Sequence, residues 1–361
     1  MNSALSERLI KIKDWLQRIT QSGWSFSSDP DTQAFCLSRI AELASSDVIE
    51  KKLKEELGNR PWWPPYRILL VISETDPLGT LEGFLAAYLI GCRIRIKARD
   101  SLPLLETLRQ TLGLSESECE IENWNSQNQD DARLLKGVDV ALLAGGDSLI
   151  RHYRSVAPSY IRLVELGPKL SAMAILGDEP PPLDRLLADI CLFLQGVCSS
   201  PRFIAIEKKR TAERLFTLLA SRLDALPPLP DDIRLGQLAK VRTLSMQSLL
   251  SSDCFKIVHS EASGWTVTLS TGLSPEVWLP KGISLIYCPD DSVEDLLSLA
   301  HERWFGQLQT LGYWGVERSP RYEGFTRYCP IGKMHRRSAL APRDGVFTLA
   351  ALVTFIDEEK E

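Results

Sequence analysis

The sequence predicts an α/β protein of two lobes, each built on a mostly parallel sheet. Three observations lead there. The chain has 361 residues, and single hydrophobic cores stop growing at roughly 250–300 residues, so two cores are expected. From residue 67 onward, short apolar runs alternate with helical patterns, the texture of parallel strands joined by crossover helices. Some of these runs end in glycine or lysine, at the carboxyl ends where such sheets take ligands.

Residues 4–58 read as helices. Leu5, Leu9, Ile12, Leu16 and Ile19 recur at three- and four-residue intervals as one apolar stripe, and Gly58 suits a helix C-terminus. The prolines and aromatics of NRPWWPPYR (59–67) break the helix. This segment is expected to be an extended, packed surface strap rather than a binding site. RILLVIS (67–73) is nearly continuous in apolar residues, as in a strand buried on both faces. PLGTLEGFLAAYLIG (77–91) reads as a helix, CRIRIKA (92–98) as an alternating strand and SLPLLETLRQTLG (101–113) as a helix. DVALLAGG (139–146) is a strand ending in two glycines, and SLIRHYRSVA (148–157) is the helix after it. YIRLVELG follows, then the proline-rich GDEPPPL (177–183) and a helix, DRLLADICLFLQG. LDALPPLPDD (223–232) is a loop, and ASGWTVTLSTG and GISLIYCPDD supply later strands. GVFTLAALVTFID (345–357) is a buried strand or helix before an acidic tail.

Composition narrows the function. The net charge of −5 offers no basic face for nucleic acid. No apolar run reaches the roughly 18 residues that span a bilayer, and the N-terminus alternates charge with apolar residues, unlike a signal peptide. Eight cysteines lie scattered without a CxxC pair. That pattern fits reduced thiols in a cytoplasmic protein better than disulfides or zinc. Four separated histidines argue against a His-built metal centre. His152, His259, His301 and His335 carry no assigned role. No metal is expected.

The chemistry centres on GVCSSPRF (196–203). Most cysteines are buried and inert, and Cys198 alone earns no more than that reading. A reactive cysteine needs access and a lowered thiol pKa, which a helix N-terminus supplies. The small residues around Cys198 let a carbonyl approach, and the backbone N–H groups of the turn suit an oxyanion. Three further features accompany it. Glu165 in LVELGPK (163–169) stands at a strand end, 33 residues before Cys198. Lys97 ends a strand in IGCRIRIKARD (90–100), and Gly145 and Gly146 turn the chain in LLAGGDSLI (142–150).

In this order and spacing the four features resemble the aldehyde dehydrogenase superfamily. Within it the chain looks most like the LuxC-type acyl-CoA reductases, the fatty-acyl reductase branch. CSSPR, LQTLG (308–312), CPIGKM (329–334) and RDGVFTLAALV (343–353) carry that second likeness. The resemblance spans about residues 65–355 and implies an aldehyde-dehydrogenase-like fold with the active site in the cleft between the lobes. It implies an N-terminal helical segment (1–60), a dinucleotide-binding lobe (61–162 plus 336–361) and a catalytic lobe (163–335).

The resemblance also implies roles. Cys198 is the nucleophile and Glu165 a general base or a shaping residue. Lys97, after Gly91, reaches the cofactor ribose, and Gly145 and Gly146 cover the pyrophosphate. Asp100 is placed to bind the adenosine ribose hydroxyls, while Arg99 and Lys97 beside it attract a 2′-phosphate; family habit leans to NADPH, with NADH the alternative. Each of these has a plain counterpart: a salt-bridged carboxylate, a solvated lysine, a tight turn. Arg202 is read either as a substrate contact or as a structural ion-pair residue, and EKKR (207–210) as a solvated face or a CoA-phosphate contact. Three positions depart from the pattern: Thr75 replaces an asparagine oxyanion donor, Pro168 a glycine, and Arg343 a histidine.

The expected reaction reduces an acyl-CoA or carrier-bound acyl group to an aldehyde through an acyl-cysteine. The alternatives are aldehyde oxidation, or a weakly catalytic subunit that holds the acyl group. An acyl-delivering partner enzyme and a homodimer are the expected associations.

Overall fold

The structure is a computed structural model and describes residues 3–45, 47–72, 76–98, 103–123, 130–250, 255–271, 281–289 and 292–359. The chain divides into two compact units, Met1–Pro168 with Ser338–Glu361, and Lys169–Arg337. Each is an α/β unit with its own sheet.

The first unit begins with three helices, α1 (Ser3–Ser22), α2 (Pro30–Ser45) and α3 (Val48–Leu57). The stripe of α1 is buried at Leu9, Ile12, Leu16 and Ile19. Gly58 ends α3 at φ 61°, donating its N–H to Lys54. The aromatic strap contains β1 (Trp62–Trp63). Then come β2 (Arg67–Val71), α4 (Pro77–Ile90), β3 (Arg93–Ala98), α5 (Pro103–Thr111), β4 (Cys119–Asn123), α6 (Asp131–Leu135), β5 (Val140–Ala144), α7 (Asp147–Val156) and β6 (Arg162–Leu166).

Five strands form a wholly parallel sheet in the order β4-β3-β2-β5-β6. Alternate residues of β2 explain its unbroken apolar run: Ile68 and Leu70 face the core under α4 and the N-terminal helices, while Leu69 and Val71 face the core under α7. A sheet covered on both sides buries both faces of its central strand. Arg95, the one charged residue buried in β3, donates to the carbonyls of Arg133, Leu134 and Lys136 and to Glu120. These bonds compensate its desolvation and tie the end of α6 to the sheet.

The second unit holds β7 (Leu170–Ile175), α8 (Leu183–Cys191), β8 (Pro201–Ile206), α9 (Lys209–Ala220), α10 (Asp231–Leu250), β9 (Lys256–His259), β10 (Thr266–Ser270), β11 (Ile283–Tyr287), α11 (Val293–Arg303), β12 (Leu308–Trp314) and β13 (Arg327–Pro330). Its seven strands run β13-β12-β7-β8-β11-β10-β9, parallel except for β9. Two irregularities flank Ser171: β12 gains a residue between Leu308 and Leu311, and β8 gains one opposite the Ser171–Ala172 step.

The chain then returns to the first unit. GVFTLAALVTFID resolves into both expected forms, α12 (Thr348–Leu352) followed by β14 (Thr354–Phe355), which pairs antiparallel with β1. The carboxylate of Glu56, fully buried in α3, accepts the N–H groups of Leu349 and Ala350 at the start of α12.

One helix differs from its sequence pattern. DRLLADICLFLQG is not continuous: α8 stops at Cys191, and Phe193, Leu194 and Gln195 take φ of 57°, 47° and 55°. Three successive non-glycine residues in the left-handed region cost roughly 1–2 kcal/mol each. Among the described residues, no helix is long and apolar enough to cross a membrane, and no group of three or more His, Cys, Asp or Glu is placed to hold a metal ion.

Candidate active site

The left-handed turn delivers the chain to Cys198, in a turn that runs straight into strand β8. This thiol therefore sits before a strand and not at a helix N-terminus. The strain is held by Gln195, whose buried carboxamide donates to the carbonyls of Pro201 (2.8 Å) and Gly282 (2.9 Å) and accepts the Gly282 N–H (2.9 Å). Lys281 Nζ adds a bond to the Leu194 carbonyl at 2.5 Å. Burial pushes Lys281 down to about 8, with the cationic neighbour Arg202 acting in the same direction. Burial also lowers Arg202, while the adjacent Cys198 sulfur raises it. Positive charge beside a sulfur favours its thiolate.

Cys198 is half-buried. Its carbonyl accepts from Ser171 Oγ at 2.7 Å, and its sulfur accepts from Gln309 Nε2 at 3.2 Å. Cys191 is half-buried as well, but five of the other cysteines divide from Cys198 sharply. Burial pushes Cys36, Cys92, Cys119 and Cys288 up to about 12 and Cys329 up to about 11. Such thiols are protonated at neutral pH and unreactive. Cys254 lies outside the described residues.

Next to Cys198, Ser199 Oγ lies 2.9 Å from His335 Nδ1, and His335 Nε2 lies 2.9 Å from the Asp189 carbonyl. A carbonyl only accepts, so the ring proton sits on Nε2 and Nδ1 accepts from the serine hydroxyl. Burial drives His335 down to about 4, which keeps the ring neutral. The Asp189 carboxylate accepts the N–H groups of Gly332 and Met334, and burial raises it to about 6 despite those bonds.

The remaining expected residues lie in the first unit. Its sheet order reverses between β2 and β5, the switch point at which open sheets take ligands. A pocket of about 10 Å³ lies there, lined in part by Ile72, Gly79, Ala144 and Arg343. Gly145 and Gly146 leave β5, and Gly146 caps α7 without any side-chain hydrogen bond. A Cβ on Gly146 would meet nothing within 4 Å, so the space over this helix terminus is open to a dinucleotide phosphate. Gly167 packs directly on the same turn: a Cβ there would fall 2.4 Å from the Gly145 carbonyl oxygen. Asp147, the acid in the first turn of α7, is paired with Arg151.

Lys97 is half-buried at the end of β3, with Nζ 3.3 Å from Tyr153 Oη and 5.4 Å from the centre of that ring. Glu165 stands on β6 opposite Leu143, held by Arg154 through two bonds of 2.7 and 2.5 Å. Arg343 fills the space beside Gly79, bonded to its carbonyl and to Asp76. Thr75 and Asp100 lie outside the described residues.

The first unit thus gathers Lys97, Gly145, Gly146 and Glu165 at the carboxyl ends of one sheet, and the second unit carries Cys198. Gln309, Ser171, Ser199 and His335 were not singled out from sequence. The available signal was Gln309-Thr310 inside the otherwise apolar LQTLG, a polar pair in a buried strand that must find partners.

A family model, acyl-CoA reductase (LuxC), matches residues 120–355. No curated protein matches the chain. Among solved structures, an NADP-dependent glyceraldehyde-3-phosphate dehydrogenase from Bacillus halodurans C-125, complexed with NADP, is similar with a TM-score of 0.70 at 13% identity, over 98% of this chain and 86% of that one. A methylmalonate-semialdehyde dehydrogenase from Oceanimonas doudoroffii gives 0.69 at 12% identity, covering 98% and 86%. A lactaldehyde dehydrogenase from Escherichia coli gives 0.67 at 12% identity, covering 98% and 85%. These likenesses make the two units the α/β lobes of an aldehyde-dehydrogenase-like fold.

Proposed function

Since the chain belongs to the acyl-CoA reductase (LuxC) family, we propose that it reduces an acyl thioester to an aldehyde through an acyl group carried on Cys198. Family and fold make the chain a nicotinamide-dependent oxidoreductase of acyl or aldehyde groups. The observation that carries the finer reading is the environment of Cys198: a half-buried thiol with an amide donor and a neighbouring cation, set apart from five cysteines that burial silences.

The thiolate of Cys198 attacks the acyl carbonyl, and the carbonyl electron pair moves to oxygen. Collapse of the adduct expels the donor thiolate, which takes a proton from solvent, and leaves an acyl-cysteine thioester. A bound reduced nicotinamide supplies the hydride that the acyl carbon requires. Breakage of the carbon–sulfur bond then releases aldehyde and restores the thiolate. The Ser200 N–H is bonded to the Val197 carbonyl, so the backbone N–H groups of Cys198 and Ser199, with Thr75, serve the oxyanion.

Gly145 and Gly146 hold the cofactor pyrophosphate, Lys97 the ribose, and Asp100 the adenosine ribose hydroxyls. The open N-terminus of α7 supports this. NADPH is the preferred form, with NADH as the alternative. Both oxygens of Glu165 are engaged by Arg154. A carboxylate so occupied is poorly placed to activate water, which favours reduction over hydrolytic aldehyde oxidation; Glu165 then shapes the site. The acyl donor is CoA or a carrier protein, with an acyl-delivering enzyme as partner, in a cytoplasmic homodimer.

The test is intact-mass detection of an acyl adduct with a panel of acyl-CoAs and acyl-carriers, followed by a chase with NADPH or NADH. The adduct should map to Cys198, vanish in Cys198→Ala, and be discharged as aldehyde by the chase. Turnover of aldehyde with NAD+ in the absence of CoA, and of nothing else, would overturn the reductase reading. An adduct that neither cofactor discharges would make the chain an acyl-holding subunit.

A further inference from the structure

Gln309 is buried, at 8% exposure, between Leu308 and Thr310 in β12. It reaches the sulfur because β12 carries an extra residue between Leu308 and Leu311. A bulge re-aims a side chain that regular pleating would send elsewhere. The Thr310 N–H points to Ser171 Oγ at 3.3 Å, and the Ser171 hydroxyl holds the Cys198 carbonyl. The carboxamide oxygen of Gln309 faces Ser171 Oγ at 3.3 Å and Thr310 Oγ1 at 3.4 Å, which turns the nitrogen toward Cys198. The single Ser171 hydroxyl proton goes to the Cys198 carbonyl and fixes the backbone of the nucleophile, so the Thr310 hydroxyl is the donor that orients the amide meeting its sulfur.

Resting on the reading of Cys198 as the acyl-accepting nucleophile, we propose that Gln309 is a catalytic residue that serves it twice. Its N–H first stabilises the Cys198 thiolate. Once the sulfur is bonded to an acyl carbon, the carbonyl oxygen on that carbon comes within reach of the same N–H. That oxygen becomes negative when the thiolate adds and again when hydride adds, and it returns its electron pair each time a carbon–sulfur bond breaks. A buried donor aimed at developing charge acts most strongly where water is excluded.

The test compares the full-length protein with Gln309→Met and Gln309→Glu. The pH profile of Cys198 alkylation by iodoacetamide, read by peptide mass, reports the thiolate without any acyl chemistry. The midpoint should rise by about one pH unit in Gln309→Met, about tenfold less reactivity below the midpoint, and further in Gln309→Glu, where a carboxylate opposes the thiolate. In a single turnover of preformed acyl-enzyme with NADPH, aldehyde release should slow roughly 10²–10³-fold in Gln309→Met. Thr310→Val, which removes the hydroxyl that orients the amide, should shift the midpoint the same way by less, and stands in if the Gln309 variants fail to fold. An unmoved midpoint with an unchanged aldehyde-release rate in the folded variants would overturn the proposal. A shifted midpoint in a chain that forms no acyl adduct would uphold the donor to sulfur and overturn the reductase reading.

Discussion

His335 and Asp189 titrate against each other across mildly acidic pH. His335 has a folded pKa of about 4, well below its ordinary value of 6.5, so the unfolded chain binds the proton first as pH falls. Its contribution to stability is whole above about 6.5 and is lost as pH drops toward 4. Asp189 is raised from 3.8 to about 6, so its contribution is lost as pH rises through that window. Replacing His335 by glutamine should isolate the aspartate. Wild type should lose roughly 2–4 kcal/mol relative to His335→Gln between pH 7 and pH 4. Urea unfolding at both pH values measures this; equal losses in the two proteins would refute it. None of this was legible from sequence. Cys198 was legible as a candidate only in company with Glu165, Lys97 and the Gly145-Gly146 turn, since its loop alone reads as one more buried thiol. His335 and Gln309 were not, because their roles depend on which backbone atoms and bulges face them after folding.

The turn before Cys198 and the glycine contact beside Gly145 are element-scale devices. In Gln195→Ala the three hydrogen bonds that hold the left-handed turn disappear, leaving the Gly282 amide and two carbonyls without that partner. A loss of about 3 kcal/mol is expected, together with slower acylation of Cys198; denaturant midpoints and adduct formation read the two effects separately. Gly167→Ala should cost about 2 kcal/mol or more, since φ is +129° and its Cβ would strike the Gly145 oxygen. The readout is the melting temperature, with dinucleotide affinity as the second measurement. Most strands and helices of the first sheet, β4 and α6 excepted, were readable because crossover units alternate cleanly in period. The left-handed turn was hidden inside an apolar helical pattern, since FLQ carries no glycine or proline to mark a break. β4, β7, β8, β9, β12 and β13 went unread from the sequence pattern, as did α6, α9, α10 and α11.

At the scale of the whole molecule, the two units offer separate footprints for hydrogen exchange. A bound dinucleotide should slow exchange at residues 144–150, around the β5–α7 turn, while acylation should slow it at 193–202. Absence of protection at the β5–α7 turn would remove Gly145 and Gly146 from the cofactor site. The division also has a consequence for biosynthesis. The second unit is one unbroken stretch, Lys169–Arg337, whereas the first is completed by Ser338–Glu361. Glu56 receives its backbone partner Leu349 from 293 positions further along. On a ribosome, the inner unit can therefore close while the outer one still lacks α12 and β14. The earliest-made helices spend translation with a buried-to-be carboxylate and an unpaired WW strand, in need of shelter until the last turn of the chain emerges.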